Sequence, residues 1–220
     1  MKLVLISDTH ELHEQVTVPQ CDVLIHAGDL TGRGSPARTQ MALEWLDKQP
    51  AKHIICIAGN HDFLFQNYPD AARDLIANTR IHYLENSGIT IDGYNFWGSP
   101  YTPEFMQWAF MYDRAKVGQW DCIPVNTDVL ITHGPPLGVL DQAAPHLNSE
   151  RLGCYDLWTT VKRLEPQVHV FGHIHGGYGH CHGIPETRFY NASVVNEAYR
   201  VVNKPWELEL AEKKNEEVIV

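Results

Sequence analysis

The sequence predicts an α/β fold. Residues 2–6, 23–26 and 53–58 are apolar runs that read as strands, and in the last Ile54, Ile55, Cys56 and Ile57 leave no polar face, as in a buried strand. Residues 35–49 and 69–78 place apolar side chains at helical spacing. The first third therefore runs strand, loop, strand, helix, strand, helix, the alternation of an α/β domain.

Each element has its own signal. Strand 2–6 ends in Ser7-Asp8-Thr9-His10, and strand 23–26 in Ala27-Gly28-Asp29. Ser35-Pro36 supplies an N-cap and a first-turn proline for a helix on which the apolar Met41, Ala42, Trp45 and Leu46 fall at helical spacing. Strand 53–58 carries Ile54, Ile55, Cys56 and Ile57 and stops at Gly59-Asn60-His61-Asp62. Helix 69–78 aligns Ala71, Ala72, Leu75 and Ile76. Residues 88–98 read as two short strands around an Asp92-Gly93 turn, a hairpin signature. A stiff loop, 99–103, leads into the aromatic-rich stretch 105–112, expected to be a helix packed on the body. Strand 128–132 ends in His133-Gly134-Pro135-Pro136. A helix near 156–164 precedes strand 168–171, which ends in Gly172-His173-Ile174-His175. Short strands are expected at 188–190 and 206–210, then a solvated tail from Ala211. No repeat or linker divides the chain, so one domain is expected over 1–203, with 204–220 an extension closing or flanking it.

Composition narrows the function. With 220 residues, 44% hydrophobic and 20% charged, the chain can bury a core without staples. The first apolar run is too short for a signal peptide and no stretch approaches a membrane span, so a cytoplasmic protein is expected. Five scattered cysteines without a Cys-x-x-Cys pair argue against a disulfide framework or a thiolate zinc site, and read as small apolar fillers. A net charge of -10 argues against an extended nucleic-acid surface, though bound metal ions would create a local positive site that no residue count shows. The oligomeric state has no signature here.

The chemistry sits at the strand ends. Asp8 and His10, Asp29, Asn60 with His61, His133, and His173 with His175 are metal-type ligands at five apolar strand ends. A single strand-end Asp is usually a cap, but agreement across five ends points to one site. In extended chain, Asp8-x-His10 and His173-x-His175 would each project to one side. Carboxylate, imidazole and amide oxygen without thiolate suit Mn, Fe or Zn. Asp29 is the natural bridge between two cations, as in sites where ions about 3.5–4 Å apart clamp a phosphoryl displacement.

In order, Asp8-Thr9-His10, Gly28-Asp29, Gly59-Asn60-His61-Asp62, His133 and Gly172-His173-Ile174-His175 resemble the five motif blocks of the calcineurin-like metallophosphoesterase superfamily. The resemblance runs to about Val202. Thr132-His133-Gly134-Pro135-Pro136, Gly153-Cys154, residues 169–173 and Asn191-Ala192-Ser193 further resemble its small single-domain branch active on phosphodiesters, including 2′,3′-cyclic nucleotides in some members. The resemblance implies a four-layer sandwich, two mixed β-sheets flanked by α-helices. It implies two divalent ions, with Mn or Fe expected and Zn the alternative. Asp8, His10, Asp29 and His175 would hold the first, and Asp29, Asn60, His133 and His173 the second. His61 would be a non-ligand catalytic imidazole with Asp62 behind it, and the nucleophile a metal-bound hydroxide. Glu11, where many relatives carry a small residue, is expected to point to solvent.

The expected function is a dinuclear-metal hydrolase of small phosphodiesters such as 2′,3′-cyclic nucleotides. Two divalent ions offset by Asp8, Asp29 and a hydroxide leave a small positive charge that a singly charged diester neutralises. Monoesters would need cations at the rim, and the nearest in sequence, Arg33, lies beyond Asp29. The alternatives are a phosphomonoesterase or protein phosphatase and, where ligands have been lost, an assembly scaffold. Other residues have simpler readings: His26 in the core, His13 and His146 solvated, and His180-Cys181-His182 alternating on an exposed hairpin strand. Trp108, Phe110 and Tyr112 read as core packing, and Asn191-Ala192-Ser193 as a fortuitous sequon.

Overall fold

Parallel strands covered on both faces need apolar side chains at successive positions. The computed structural model describes residues 1–114, 118–147, 149–211 and 213, and begins with such a run, β1 (Lys2–Ile6). There follow β2 (Cys21–Ala27), α1 (Pro36–Asp47), β3 (Ala51–Ile57), α2 (Phe63–Asn67), α3 (Pro69–Ile76) and β4 (Ile81–Tyr83). Next come β5 (Ser87–Ile91), β6 (Tyr94–Ser99), β7 (Thr102–Pro103), β8 (Met111–Tyr112) and β9 (Val129–Thr132). The described elements end with α4 (Tyr155–Leu164), β10 (Val168–Phe171), β11 (Gly179–Gly183), β12 (Thr187–Asn191) and β13 (Trp206–Glu209).

Two mixed sheets result. In the first, ordered β13-β1-β2-β3-β4, only β13 runs antiparallel to its neighbour. The second is ordered β11-β12-β10-β9-β6-β5, with four parallel central strands and antiparallel strands at both edges.

Strand periodicity then makes the layers. Leu3, Leu5, Ile55 and Ile57 of the first sheet pack with Phe96, Val129, Ile131 and Val170 of the second. The alternate residues Val4, Ile6, Leu24 and Ile54 face Leu43, Leu46 and Ala72 of the helices. Leu130 and Phe171 face Leu157 and Val161 of α4. This helix–sheet–sheet–helix order is the four-layer sandwich that the motif blocks implied. Truncating a buried inter-sheet residue such as Ile131 to Ala would cost about 2–5 kcal/mol.

Local signals explain the element ends. Ser35 accepts the Arg38 N–H at 3.4 Å and caps α1. Cys154 Sγ accepts the Leu157 N–H at 3.2 Å and caps α4. Asp92 and Gly93 both take positive φ, 48° and 79°, as a type I′ hairpin turn requires. The chain after β12 crosses between sheets: Ala192 N–H donates to Phe171 O, and Val194 N–H to Ser7 O. That crossing ties the two sheets together at the edge where the motif blocks emerge.

Several expectations fail. Residues 105–112 form no helix, because Met106 and Phe110 are left-handed (φ 58° and 53°) and the backbone donors turn outward. Ala109 N–H donates to Asn60 O and Phe110 N–H to Gln66 Oε1. Phe110 and Tyr112 are buried all the same. His13 is buried beside Trp45, at 5.3 Å between rings, rather than solvated. Cys122 is exposed and Cys181 half-buried, so not every cysteine is a core filler. Glu11 does not simply face solvent: it accepts the Gly32 N–H at 3.0 Å and pairs with Arg38 at 3.5 Å. His26 is fully buried, and 180–182 alternate along the edge strand β11. Of the expected tail, residues 212 and 214–220 lie outside the described residues.

Candidate metal centre

The carboxyl ends of β1, β2, β3, β9 and β10 open onto one edge, where parallel sheets gather ligands. The ligand-type side chains converge there as two groups. Asp8, His10 and His175 offer atoms within 4.8 Å of one another, as do Asp29, His133 and His173. Asn60 joins the second group, its Oδ1 lying 2.9 Å from His133 Nε2. Asp29 sits between the groups: its Oδ2 is 3.6 Å from His10 Nε2 and 3.3 Å from His133 Nε2.

The backbone is bent to achieve this. Asp8, His10, Asp29 and His173 all have positive φ, at 56°, 42°, 56° and 67°. Non-glycine residues rarely adopt this conformation, and it clusters at functional sites. The extended alternation expected of the two Asp/His-x-His pairs is therefore replaced by left-handed turns. His173 and His175 consequently serve different groups. Close approach also needs missing side chains. A Cβ on Gly28 would lie 2.6 Å from His133 Nδ1, and one on Gly172 would collide with Asp8 and Ser7.

Neighbouring carbonyls aim the rings. His133 Nδ1 faces Ala27 O at 2.9 Å and His10 Nδ1 faces Thr31 O at 3.3 Å, leaving both Nε2 atoms for the centre. His173 N–H donates to both Asp8 oxygens at 3.1 Å, and His61 N–H to Asp29 Oδ1 at 2.8 Å.

The donor set fits divalent ions. Asp8 and Asp29 are buried, and among the described residues their ion-pair partners are histidines alone. Burial would raise both carboxyls, but His175 and His133 hold Asp8 low, and His133 and His10 hold Asp29 well below the carboxylate range. Burial would lower His133, yet the Asp29 carboxylate pushes it up to about 9. Burial and the His133 charge push His173 down to about 3. Such a cluster shares a few protons among lone pairs aimed at common points, and cations compete for those same lone pairs.

His61 stands apart in its bonding. Its Nδ1 meets Gly32 O at 2.8 Å, and its ring stacks on Trp108 at 4.2 Å between centroids and 26°. Its second nitrogen remains for chemistry, and the ring also lies within a possible ligand group with His10 and Asp29. Asp62 is not behind His61, contrary to the expectation from the motif. Its carboxylate accepts from Leu30 N–H, Thr31 N–H, Thr31 Oγ1–H and Gly59 N–H at 2.7–3.1 Å, clamping two motif loops together. Burial and the Asp29 charge push it up to about 6 even so. The reason is directional: the turn at Asp62 faces the β2 loop, while Gly32 of that loop takes the imidazole.

Sequence reasoning missed two residues. Trp108 reads as packing in the sequence, yet it holds His61, and the Arg33 guanidinium lies 5.1 Å from its ring centroid. Tyr199 carries no sequence signal. Its left-handed backbone (φ 53°) brings its ring 4.8 Å from His10 and 5.3 Å from His175. Asn196 Oδ1 holds that turn by accepting from Ala198 and Arg200 N–H.

The family model described as calcineurin-like phosphoesterase matches residues 1–177, which contain all five blocks. The chain belongs to the calcineurin-like phosphoesterases. Family membership makes it a metal-dependent phosphoester hydrolase with a dinuclear centre. Human metallophosphoesterase domain-containing protein 1 is 37% identical, over 97% of this chain and 72% of that protein. A Caenorhabditis elegans protein of the UPF0046 group is 39% identical, over 93% of this chain and 73% of its own. Two solved structures share the phosphoesterase's fold. They are the phosphopantetheinyl hydrolase of Mycobacterium tuberculosis (TM-score 0.57, 16% identity, 90% of each chain) and TT1561 of Thermus thermophilus (TM-score 0.58, 12% identity, 86% and 88%). Among the described residues, no helix is long and apolar enough to cross a membrane.

Proposed function

We propose that this phosphoesterase hydrolyses small phosphodiesters, with 2′,3′-cyclic nucleotides the first candidates. The observation that carries the reading is the pair of ligand groups meeting at Asp29. Asp8, His10, Asp29 and His175 would hold one ion, and Asp29, Asn60, His133 and His173 the other. Once bound, such ions supply Lewis acidity and a nucleophile drawn from water.

The protein's own groups do the rest. Gly32 O fixes the His61 ring through Nδ1 and Trp108 fixes its plane, so Nε2 is positioned to protonate a leaving oxygen. The Asp62 clamp keeps the loops bearing Asp29 and His61 in register. Mn and Fe are the preferred metals, since oxygen and imidazole donors without thiolate suit them, and Zn is the alternative.

A second reading has a specific support. Arg33 lies over Trp108, and Arg114 lines a hollow beside His173, so rim cations exist where sequence distance hid them. Such cations favour a dianionic monoester. The filled ligand set disfavours a scaffold. A Mn-supplemented panel of bis-nitrophenyl phosphate, nitrophenyl phosphate, 2′,3′- and 3′,5′-cyclic nucleotides and a phosphoprotein separates these readings. Diesters should turn over faster than monoesters; the reverse moves the chain to the phosphatases.

A further inference from the structure

Beside the second ligand group lies a hollow of about 200 Å³ whose apolar lining the roles above do not use. Its apolar walls are Pro103, Phe105, Pro135, Leu152 and Ile174. Phe105 and Leu152 are 60% and 39% exposed, so apolar surface faces solvent directly beside a strongly polar centre. Isolated exposed apolar residues are ordinary, but here they line a concave surface.

Two observations join this hollow to the phosphoryl site. His173 belongs both to its wall and to the group with Asp29 and His133. Gly134, next to His133, lines the hollow as well, packed so closely that a Cβ there would lie 3.0 Å from Thr102 and 3.8 Å from the His173 ring. The residues around the proton donor, His10, His61 and Trp108, do not line the hollow. A group departing towards His61 therefore leaves it empty.

Resting on the phosphodiester reading, we propose that for open-chain diesters, in which the departing and remaining groups are separate, the hollow seats the ester substituent that stays on phosphorus, an apolar group about the size of one aromatic ring. Size supports this, since an apolar cavity of roughly 150 Å³ accepts benzene. Arg114 and Glu197 line the same hollow and give its occupant a polar fringe. Glu197 is held in place by the Gly176 N–H at 2.9 Å.

The test compares phenylphosphonate with methylphosphonate, whose C–P bonds resist hydrolysis, by calorimetric titration of Mn-loaded protein. Phenylphosphonate should bind about tenfold more tightly, the size expected from partial burial of one ring. Phe105→Ala and Leu152→Ala should each cut that preference about threefold, and Leu152→Trp, which fills the hollow from its rim, should abolish it. Thermal unfolding checks that each variant is folded. Equal wild-type affinity for the two phosphonates, or a preference unchanged in all three variants, overturns the proposal. A kinetic arm compares bis-nitrophenyl phosphate with methyl nitrophenyl phosphate, which share a leaving group. Their kcat/KM ratio should fall in the same variants through KM. Wild-type protein that hydrolyses neither diester contradicts the phosphodiester reading, while the phosphonate arm still judges the hollow by itself.

Discussion

Around Asp8, two ligands come from the end of β1 and the third, His175, reaches across from beyond β10. Around His133, the ends of β2, β3, β9 and β10 each contribute one residue. Both groups are set deep: Asp8 and His133 are fully buried, and of the two groups' residues His173 alone is partly exposed. The first is roofed by the ring of Tyr199, which is half exposed and carried on a short turn. Backbone carbonyls aim histidines in both groups, but where His175 must reach over, a surface aromatic also covers the site.

The largest effect that separates site chemistry from metal holding belongs to His61. His61→Ala should keep both ions and lose about 10²–10⁴ in kcat, the usual size of a general acid contribution. The loss should be smaller with a nitrophenolate leaving group. Metal analysis beside the rate decides it, since loss of an ion with normal turnover per loaded site would make His61 a further ligand of the first ion.

Asp62 bears on how the two groups are kept in register. Asp62→Ala strands four buried donors, and should lower stability by about 3 kcal/mol in chemical denaturation. A change below about 0.5 kcal/mol would contradict the clamp.

Tyr199 sharpens the contrast between the groups. Tyr199→Ala should weaken one ion about 10–100-fold, the range seen when supporting contacts of metal ligands are removed. The other ion should be unaffected in a chelator competition. Equal weakening of both would show that the roof is not specific to the first group.

The smallest effect comes from outside both groups. His26 and His169 are fully buried, and burial pushes each down to about 3. Unfolded chains take up those protons below about pH 6.5, so stability rises with pH across this window and is lost as pH falls toward 3. Asp62, raised to about 6, and His133, raised to about 9, oppose the trend, but His173, pushed down to about 3, adds to it, and the three depressed histidines outweigh the two opposing groups between pH 7 and pH 5. Denaturation of metal-free protein at pH 7 and pH 5 should show the lower stability at pH 5.

Much of this was legible because the strands are buried on both faces. Ile54 to Ile57 could be read as a strand, and Asn60-His61 as its polar end, from adjacent residues alone. The ligand positions followed from repetition of that pattern at other strand ends. What stayed hidden depends on tertiary direction. Nothing in the order of residues says that Asp62 turns toward Thr31 while His61 turns to Gly32. The 105–112 stretch has helical composition, but its donors go to Asn60 and Gln66, partners more than forty residues away. Sequence separation hides that Arg33 lies over Trp108 beside His61, and Tyr199 reaches the site only through a left-handed turn far from any motif.

The central claim is that two ions meet at Asp29, and metal analysis of wild-type protein and Asp29→Ala, purified in parallel without chelator, tests it most directly. The account predicts close to two equivalents in the wild type, almost none in the variant, and diester hydrolysis in the wild type alone. A folded wild type that retains no metal, or an Asp29→Ala protein that keeps both ions, would contradict it.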